Sequence, residues 1–315
     1  LQPKIILGGH GPVLSFLIAR RHPSAVLTPA LASSVPQIVL WLGPAMVFFG
    51  RGHRLMSDLT LQRIEIFPIK SLDGVAVESC AITAGGILAN DRVFAIMDEA
   101  GKVVNGKRTP RIHQLRTVFS PLFDEVNLCE TGHTIAQSFS LRDRTLLNRW
   151  LSDFFRFPVF VQREPEKGFP DDLTAYGPTI TSEASLCAIR GWYPELTVES
   201  VRRRFRSNLE LGGGVAFCED ALYGEPGVLK PFVIGDVQFL GHNPCQRCVV
   251  PTRDPDQGNP VSEFQKKFMQ LRRENLPSWA NVSRFNHFYR FAVNTSIPAT
   301  ESGKILRVGD VLKIS

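Results

Sequence analysis

The texture of the chain changes at Leu59, and that change limits the fold more than any other feature of its 315 residues. Residues 24–50 run for 27 positions without a charge and are closed by the basic cluster RGHR. From Leu59 onward, short stretches alternate instead. Ile64 and Ile66 alternate with Arg63 and Glu65 before Pro68, a period-two pattern typical of a half-buried strand, ended by a residue that cannot donate to a ladder. Residues 75–83 and 92–98 read as further strands, and the turn at 99–102 leads back into Val103 and Val104 as a hairpin. The body is therefore expected to be mainly β with helices, an α+β protein.

Residues 1–58 form a leader of different chemistry. About 20 apolar residues suffice to cross a bilayer, and 24–50 has that length, although Pro29, Pro36, Pro44 and the pair Ser33–Ser34 interrupt it. The leader is expected to be a membrane anchor or targeting segment, with residues 24–50 making any membrane association; a disordered leader is the alternative. It also explains the charge. Of a net +6, most falls in the first sixty residues, where five basic residues face the single acid Asp58, so the body is nearly neutral in sum. A basic body with interleaved aromatics is the footprint of nucleic-acid binding; no such partner is expected here. Twenty-two Phe against four Trp and four Tyr point to aromatic cores built from rings without a polar tip.

A first helix is expected from Ser140, which with Asp143 makes a capping-box-like start, and Leu147, Trp150, Leu151 and Phe154 share one face. The polar link REPEKGFPDD (163–172) then separates two halves, residues 59–165 and 173–315. The second half opens with TSEASL, where Ser182 and Ser185 are each placed to cap a helix, followed by a short helix over 198–205. Strands are expected over 228–239, 289–294 and 305–314. Between them Ser262 and Gln265 form a capping box ahead of Phe264, Phe268 and Leu271, an amphipathic helix whose LysLys and ArgArg pairs read as its solvated face.

Several motifs fail on context. GKVVNGKR (101–108) has the spacing of a phosphate loop, but Arg108 stands where Ser or Thr would hold magnesium, and the segment falls in a hairpin. The run of Gly212, Gly213 and Gly214 lacks the dinucleotide fingerprint. Val249 after Cys248 excludes the usual c-type haem attachment. What remains is GHNPCQRCVVPTRDPDQG (241–258), with Cys245 and Cys248 three residues apart and Arg247 between them. Spacing alone leaves this pair open between half of a zinc site, a redox dithiol, a structural pair and a soft ligand for another metal.

The order of segments narrows the choice. IFPIKSLDG, NDRVFAIMDEAG, TSEASL, RRFRSNLEL, FCEDAL, GDVQF, NPCQRCVVPTRDPDQG and LRVGDVL follow one another in that order. Over about residues 60–315 the chain resembles the MOSC proteins, a molybdenum-cofactor-binding family, with an N-terminal β-barrel domain followed by a MOSC β-barrel domain. The resemblance implies that Cys248 is the metal ligand and catalytic residue, held as thiolate as coordinating thiols generally are. It implies cofactor contacts from Lys70, Ser71, Arg92, Thr181, Ser182, Arg206, Asn208, Arg247 and Thr252, the arginines suiting a phosphate by their planar fork. Cys245 falls on a non-ligand position. Asp254 either shapes the metal loop or makes an Asx turn before Pro255, and His242 reads as a hydrogen-bonded loop histidine. Two departures are Ser207, where relatives often carry Pro, and Pro251, where Thr is common.

The function so implied is that of an oxidoreductase carrying the molybdenum cofactor (Mo-molybdopterin), which reduces N-hydroxylated compounds with electrons from a cytochrome b5 and its reductase. The expected location is the mitochondrial outer membrane or another intracellular membrane facing the cytosol. A cofactor-binding or sulfur-carrying protein without substrate turnover, and a zinc-bound β module, are the alternatives.

Overall fold

The alternating run after Leu59 forms a strand, β1 (Thr60–Ile66), with Leu61, Ile64 and Ile66 buried. Leu61 and Ile64 are three apart, which a period of two cannot place on one face. A break in register between Leu61 and Arg63 inserts the extra residue and returns both to the core. The computed structural model describes residues 59–314, and the expectations for 24–50 and for the leader as a whole lie outside them. Among the described residues no helix is long and apolar enough to cross a membrane.

After β1 come β2 (Val75–Val77), β3 (Ser79–Ala81), β4 (Phe94–Asp98), β5 (Leu115–Phe119), β6 (Glu125–Glu130) and β7 (Gln137–Ser140). Helix α1 (Thr145–Phe155) and β8 (Val159–Arg163) follow, then β9 (Ile180–Ser182), α2 (Glu183–Trp192), α3 (Val198–Phe205) and β10 (Leu209–Gly212). The chain goes on through β11 (Lys230–Ile234), β12 (Val237–Gln246), α4 (Phe264–Glu274), β13 (Arg290–Ser296), β14 (Ile305–Arg307) and β15 (Leu312–Ile314). The described residues are mainly β with four α-helices.

Eight strands make the principal sheet in the order β15-β11-β12-β13-β9-β10-β1-β2. The sheet curls until its β15 end returns to β1: Leu61 N–H donates to the Asp310 carbonyl at 2.8 Å and Leu312 N–H to the Leu59 carbonyl at 2.8 Å. Closure satisfies backbone groups that an open edge would leave bare. Strands pair across the division drawn from the sequence. β1 runs antiparallel to β10, and β3 to β14, so the first strands of the chain lie in the sheet of its second half. The smaller sheets, β4 with β8 and β5-β6-β7, enclose a separate core with α1, in which Ile96, Val126, Leu128, Leu147 and Leu151 are buried.

A third core is aromatic. Phe205, Phe264, Phe268 and Phe291 lie with their rings 4.6–6.5 Å apart. At roughly 2 kcal/mol for each buried ring, they fix α4 on the sheet. Several local expectations need correction. α1 begins at Thr145, because Ser140 ends β7 and turns its hydroxyl to the N–H groups of Arg142 and Asp143. α4 has no side-chain cap; Glu263 precedes it in the left-handed region at φ 59°. Residues 228–239 are a hairpin turning at Gly235, φ 62°, and 305–314 is two short strands. Arg272 of the ArgArg pair is not solvated. It is 1% exposed and ion-paired with Asp220, with the Phe217 ring 4.0 Å and the Phe285 ring 5.1 Å from its guanidinium.

Candidate functional site

Two register breaks in the β12–β13 ladder fall at His242 and Cys245, between Gly241 and Asn243 and between Pro244 and Gln246. Such breaks bend a strand and re-aim its side chains. β12 thus carries Cys245 to its end, and Cys248 follows just beyond. Both thiols are half-buried and line one cleft of about 940 Å³. Arg247 between them also lines it. Its guanidinium donates to the Cys245 sulfur at 3.3 Å and to the Phe205 carbonyl, and its Nε is buried without a partner. Cys248 Sγ accepts the Val250 N–H at 3.5 Å.

Helix α3 feeds the same cleft. Each arginine of RRRFR has a separate task. Arg202 forks onto Glu210 at 2.8 and 2.9 Å, and Arg203 pairs with Asp256 at 2.7 Å. Arg204, nearly fully buried, donates to the Pro251 and Arg253 carbonyls and so ties the helix to the loop after Cys248. Arg206 ends the helix at φ 53°, donates to the Leu72 carbonyl at 2.6 Å and lies 4.2 Å from the Phe67 ring. Burial, and then the charge of Arg92, pull its pKa down to about 10.

Opposite stand Lys70, Ser71 and Arg92. Lys70 donates to the Phe169 and Pro170 carbonyls and pairs with Asp171 at 3.0 Å, so the polar link at 163–172 is a wall of the cleft. Burial lowers the Lys70 pKa against the opposing charge of Asp171. Arg92 is held by Asp91 and by Asn208 Oδ1 at 3.1 Å, with the Phe67 ring 5.2 Å away. Ser71 at φ 76°, Arg92 at 52° and Arg206 at 53° all occupy the left-handed region. That conformation costs a non-glycine residue roughly 1–3 kcal/mol and persists where surroundings enforce it, often at functional positions.

Four residues expected at the cofactor are not on the cleft wall. Thr181 and Ser182 are buried and turn their hydroxyls to Glu219, at 3.2 and 2.9 Å. Asn208 spends its amide on Arg92, the Thr179 N–H and the Glu65 carbonyl, which makes it a support for Arg92. Thr252 closes its own turn on the Val249 carbonyl at 2.7 Å. Asp254 makes the Asx turn, accepting from Asp256 and Gln257 N–H, and His242 shares a 2.8 Å hydrogen bond with Ser296.

Sequence reasoning missed other members of the wall. Lys107, in the rejected phosphate-loop run, lines the cleft, as do Arg116, Arg284 and Arg290. His113 is there as well, its Nε2 buried and unpartnered, its pKa pushed down to about 4 by burial and then by Arg206, Arg253 and Arg116. Twelve basic and five acidic side chains line the cleft, in a body that is almost neutral in sum. Fixed cations around a concave site focus potential on an anion.

The residues fit a group that couples a soft metal to an anionic tail. Cys248 offers a thiolate, and Lys70, Arg92 and Arg206 offer the cations. Among the described residues no three His, Cys, Asp or Glu side chains gather in metal-ligating range. A metal taken by Cys248 would draw its other ligands from a cofactor, as a pyranopterin dithiolene provides.

Comparison with known proteins bears directly on this geometry. Residues 58–145 match the MOSC N-terminal beta barrel domain, and residues 179–313 match the MOSC domain. The chain belongs to the MOSC family. Within it, the chain is 26% identical over 301 residues to mitochondrial amidoxime reducing component 2 of Bos taurus, covering 83% of this chain and 84% of that one. Mitochondrial amidoxime-reducing component 1 of Homo sapiens is 24% identical over 249 residues, 66% of this chain and 70% of the relative. A shorter match joins residues of this MOSC protein to the molybdenum cofactor sulfurase of Oryza sativa subsp. japonica, 27% identical over 127 residues, 39% of this chain and 14% of that one.

Proposed function

We propose that this MOSC protein is a molybdenum-cofactor-dependent oxidoreductase that reduces N-hydroxylated compounds. The observation that carries the reading is the convergence of Cys248 with Lys70, Arg92 and Arg206 on one cleft. The names of the amidoxime-reducing relatives support the substrate class. The bound cofactor would supply two-electron chemistry, so that N–O cleavage, with two electrons and two protons, yields the reduced nitrogen compound and water. Cys248 holds the metal. Lys70, Arg92 and Arg206 neutralise the anionic tail, and Asn208 and Asp91 hold Arg92 in place. Arg247 fixes Cys245 and the turn leading to Cys248. Electrons come from a separate cytochrome b5-type donor and its reductase, at an intracellular membrane that residues 24–50 anchor.

The test is the full chain and Cys248→Ala, produced in a host that makes the cofactor, with molybdenum, zinc and released pterin measured per chain. Near-stoichiometric molybdenum with pterin, and reduction of benzamidoxime with reduced cytochrome b5, are expected of the parent. Loss of molybdenum with pterin retained, or loss of both, is expected of the variant. Zinc without pterin would overturn the reading. The rice sulfurase relative favours a second one, a cofactor carrier; a carrier would hold molybdenum and reduce no amidoxime even with a dithionite-driven donor.

A further inference from the structure

The cations of the cleft fall into two groups. Lys70, Arg92 and Arg206 form the first, with Arg92 and Asp171 each within electrostatic reach of both Lys70 and Arg206. The second belongs to the β12–β13 side and has no task in the reading above. Arg290, cross-strand partner of Gln246, donates to the Pro244 carbonyl at 2.8 Å and to Asn286 Oδ1 at 2.8 Å. Arg284 donates to the His242 carbonyl at 2.7 Å. The two guanidiniums therefore hang from carbonyls two residues apart on the strand that carries Cys245, and Arg290 is in electrostatic reach of both Arg284 and Cys245. Each keeps a buried nitrogen without a partner, Nη1 of Arg284 and Nε of Arg290.

Neither has an ion-paired carboxylate among the described residues. Asp172 lines the cleft, but it accepts from Thr174 and from Asn294 instead. Two half-buried cations that repel one another and are fixed by neutral carbonyls have no counter-charge from the described residues. That arrangement is relieved by an anion that accepts from both. We infer that Arg284 and Arg290 form a subsite for an anionic substituent of the substrate, a carboxylate or a phosphate. The compounds this protein serves best are then N-hydroxylated ones that carry a negative group. The inference rests on the proposed function for the reaction, but not for the binding. A docking surface for an acidic protein would present exposed cations. These two are half-buried and tethered to a cleft wall, which suits a small molecule.

The test pairs benzamidoxime with 4-carboxybenzamidoxime on the holoprotein, in the parent, in Arg284→Met, in Arg290→Met and in Arg290→Lys. Binding of 4-amidinobenzoate and of benzamidine is measured separately by calorimetry, which needs no turnover. The parent is expected to favour the carboxylated substrate through KM. The ratio of kcat/KM values, and the ratio of the two calorimetric affinities, should fall by roughly tenfold or more in each Met variant, with partial rescue in Arg290→Lys. Equal ratios in the parent and the Met variants would overturn the inference. So would an effect confined to the KM for cytochrome b5, which would mark a protein-docking surface. Absence of turnover on both substrates would instead defeat the proposed function, while the calorimetric ratios still decide the subsite.

Discussion

Arg272 is fully buried and Arg206 half-buried, and the fold treats them in opposite ways. Arg272, under α4, is ion-paired with Asp220 and packed against the rings of Phe217 and Phe285. Arg206, in the cleft, has the Leu72 carbonyl and the Phe67 ring but no ion-paired carboxylate among the described residues, and it faces a second cation in Arg92. Where a buried charge is neutralised by its own chain, its work is structural. Where it is left short of counter-charge among the described residues, the proposed function assigns the counter-charge to a bound anion. Breaking the first kind should cost stability, and breaking the second should cost binding.

The largest effect on stability is expected from Asp220→Asn, which strands Arg272 in an apolar core. Removing one partner of a buried pair costs about 3–5 kcal/mol, read as a lower denaturation midpoint with an unchanged slope. A loss below about 1 kcal/mol would show that the pair is not what neutralises Arg272.

Beside it, Glu219 is buried and accepts hydrogen bonds from Thr181, Ser182 and Ser185. Burial, and then the charge of Asp220, raise its pKa to about 7. An acid with a raised folded pKa binds its proton more tightly in the folded state, so its contribution falls as pH rises from the ordinary carboxylate range toward 7, then levels off. Glu219→Gln removes that dependence. The variant should gain on the parent by on the order of 3 kcal/mol between about pH 4.5 and about pH 7, measured as the difference in Tm across that range. A difference that stays constant with pH would mean that Glu219 is ionised throughout.

The smallest effect on stability is expected from Arg206→Met. One hydrogen bond is lost, about 1 kcal/mol, and repulsion from Arg92 is relieved, so Tm should barely move. Cofactor content, measured as pterin released per chain, should fall sharply. A large drop in Tm with pterin retained would place Arg206 with Arg272 and dissolve the contrast. Asn208→Ala should weaken cofactor retention through Arg92 in the same direction, and Arg92 would then have to be the residue whose loss of position explains it.

How far each feature could be read beforehand follows from its range in sequence. Cys245, Arg247 and Cys248 are neighbours, as are Arg204, Arg206 and Asn208, so their spacing was visible and the family resemblance rested on them. α3 falls where it was expected, over 198–205, with Thr197 capping its start and Phe205 buried at its end. Arg272 was misread because helical periodicity reports the apolar stripe and cannot see Asp220, 52 positions away. Thr181 and Ser182 were expected at the cofactor from the resemblance, and their hydrogen bonds to Glu219, 38 and 37 positions away, carry no local signal. His113, Arg284 and Arg290 carried no local signal at all.

Local sequence suffices for the β texture from Leu59, the aromatic core promised by its many Phe, and the dithiol segment with an arginine between its cysteines. These are local patterns of period, size and spacing, and local sterics fix them. Long-range packing set the rest: β1 joins the sheet of the second half, the polar link becomes a wall of the cleft, and twelve Lys and Arg side chains of a nearly neutral body line that cleft. Charge is counted along the chain but acts through space. Only the folded arrangement sets which cations find carboxylates and which do not.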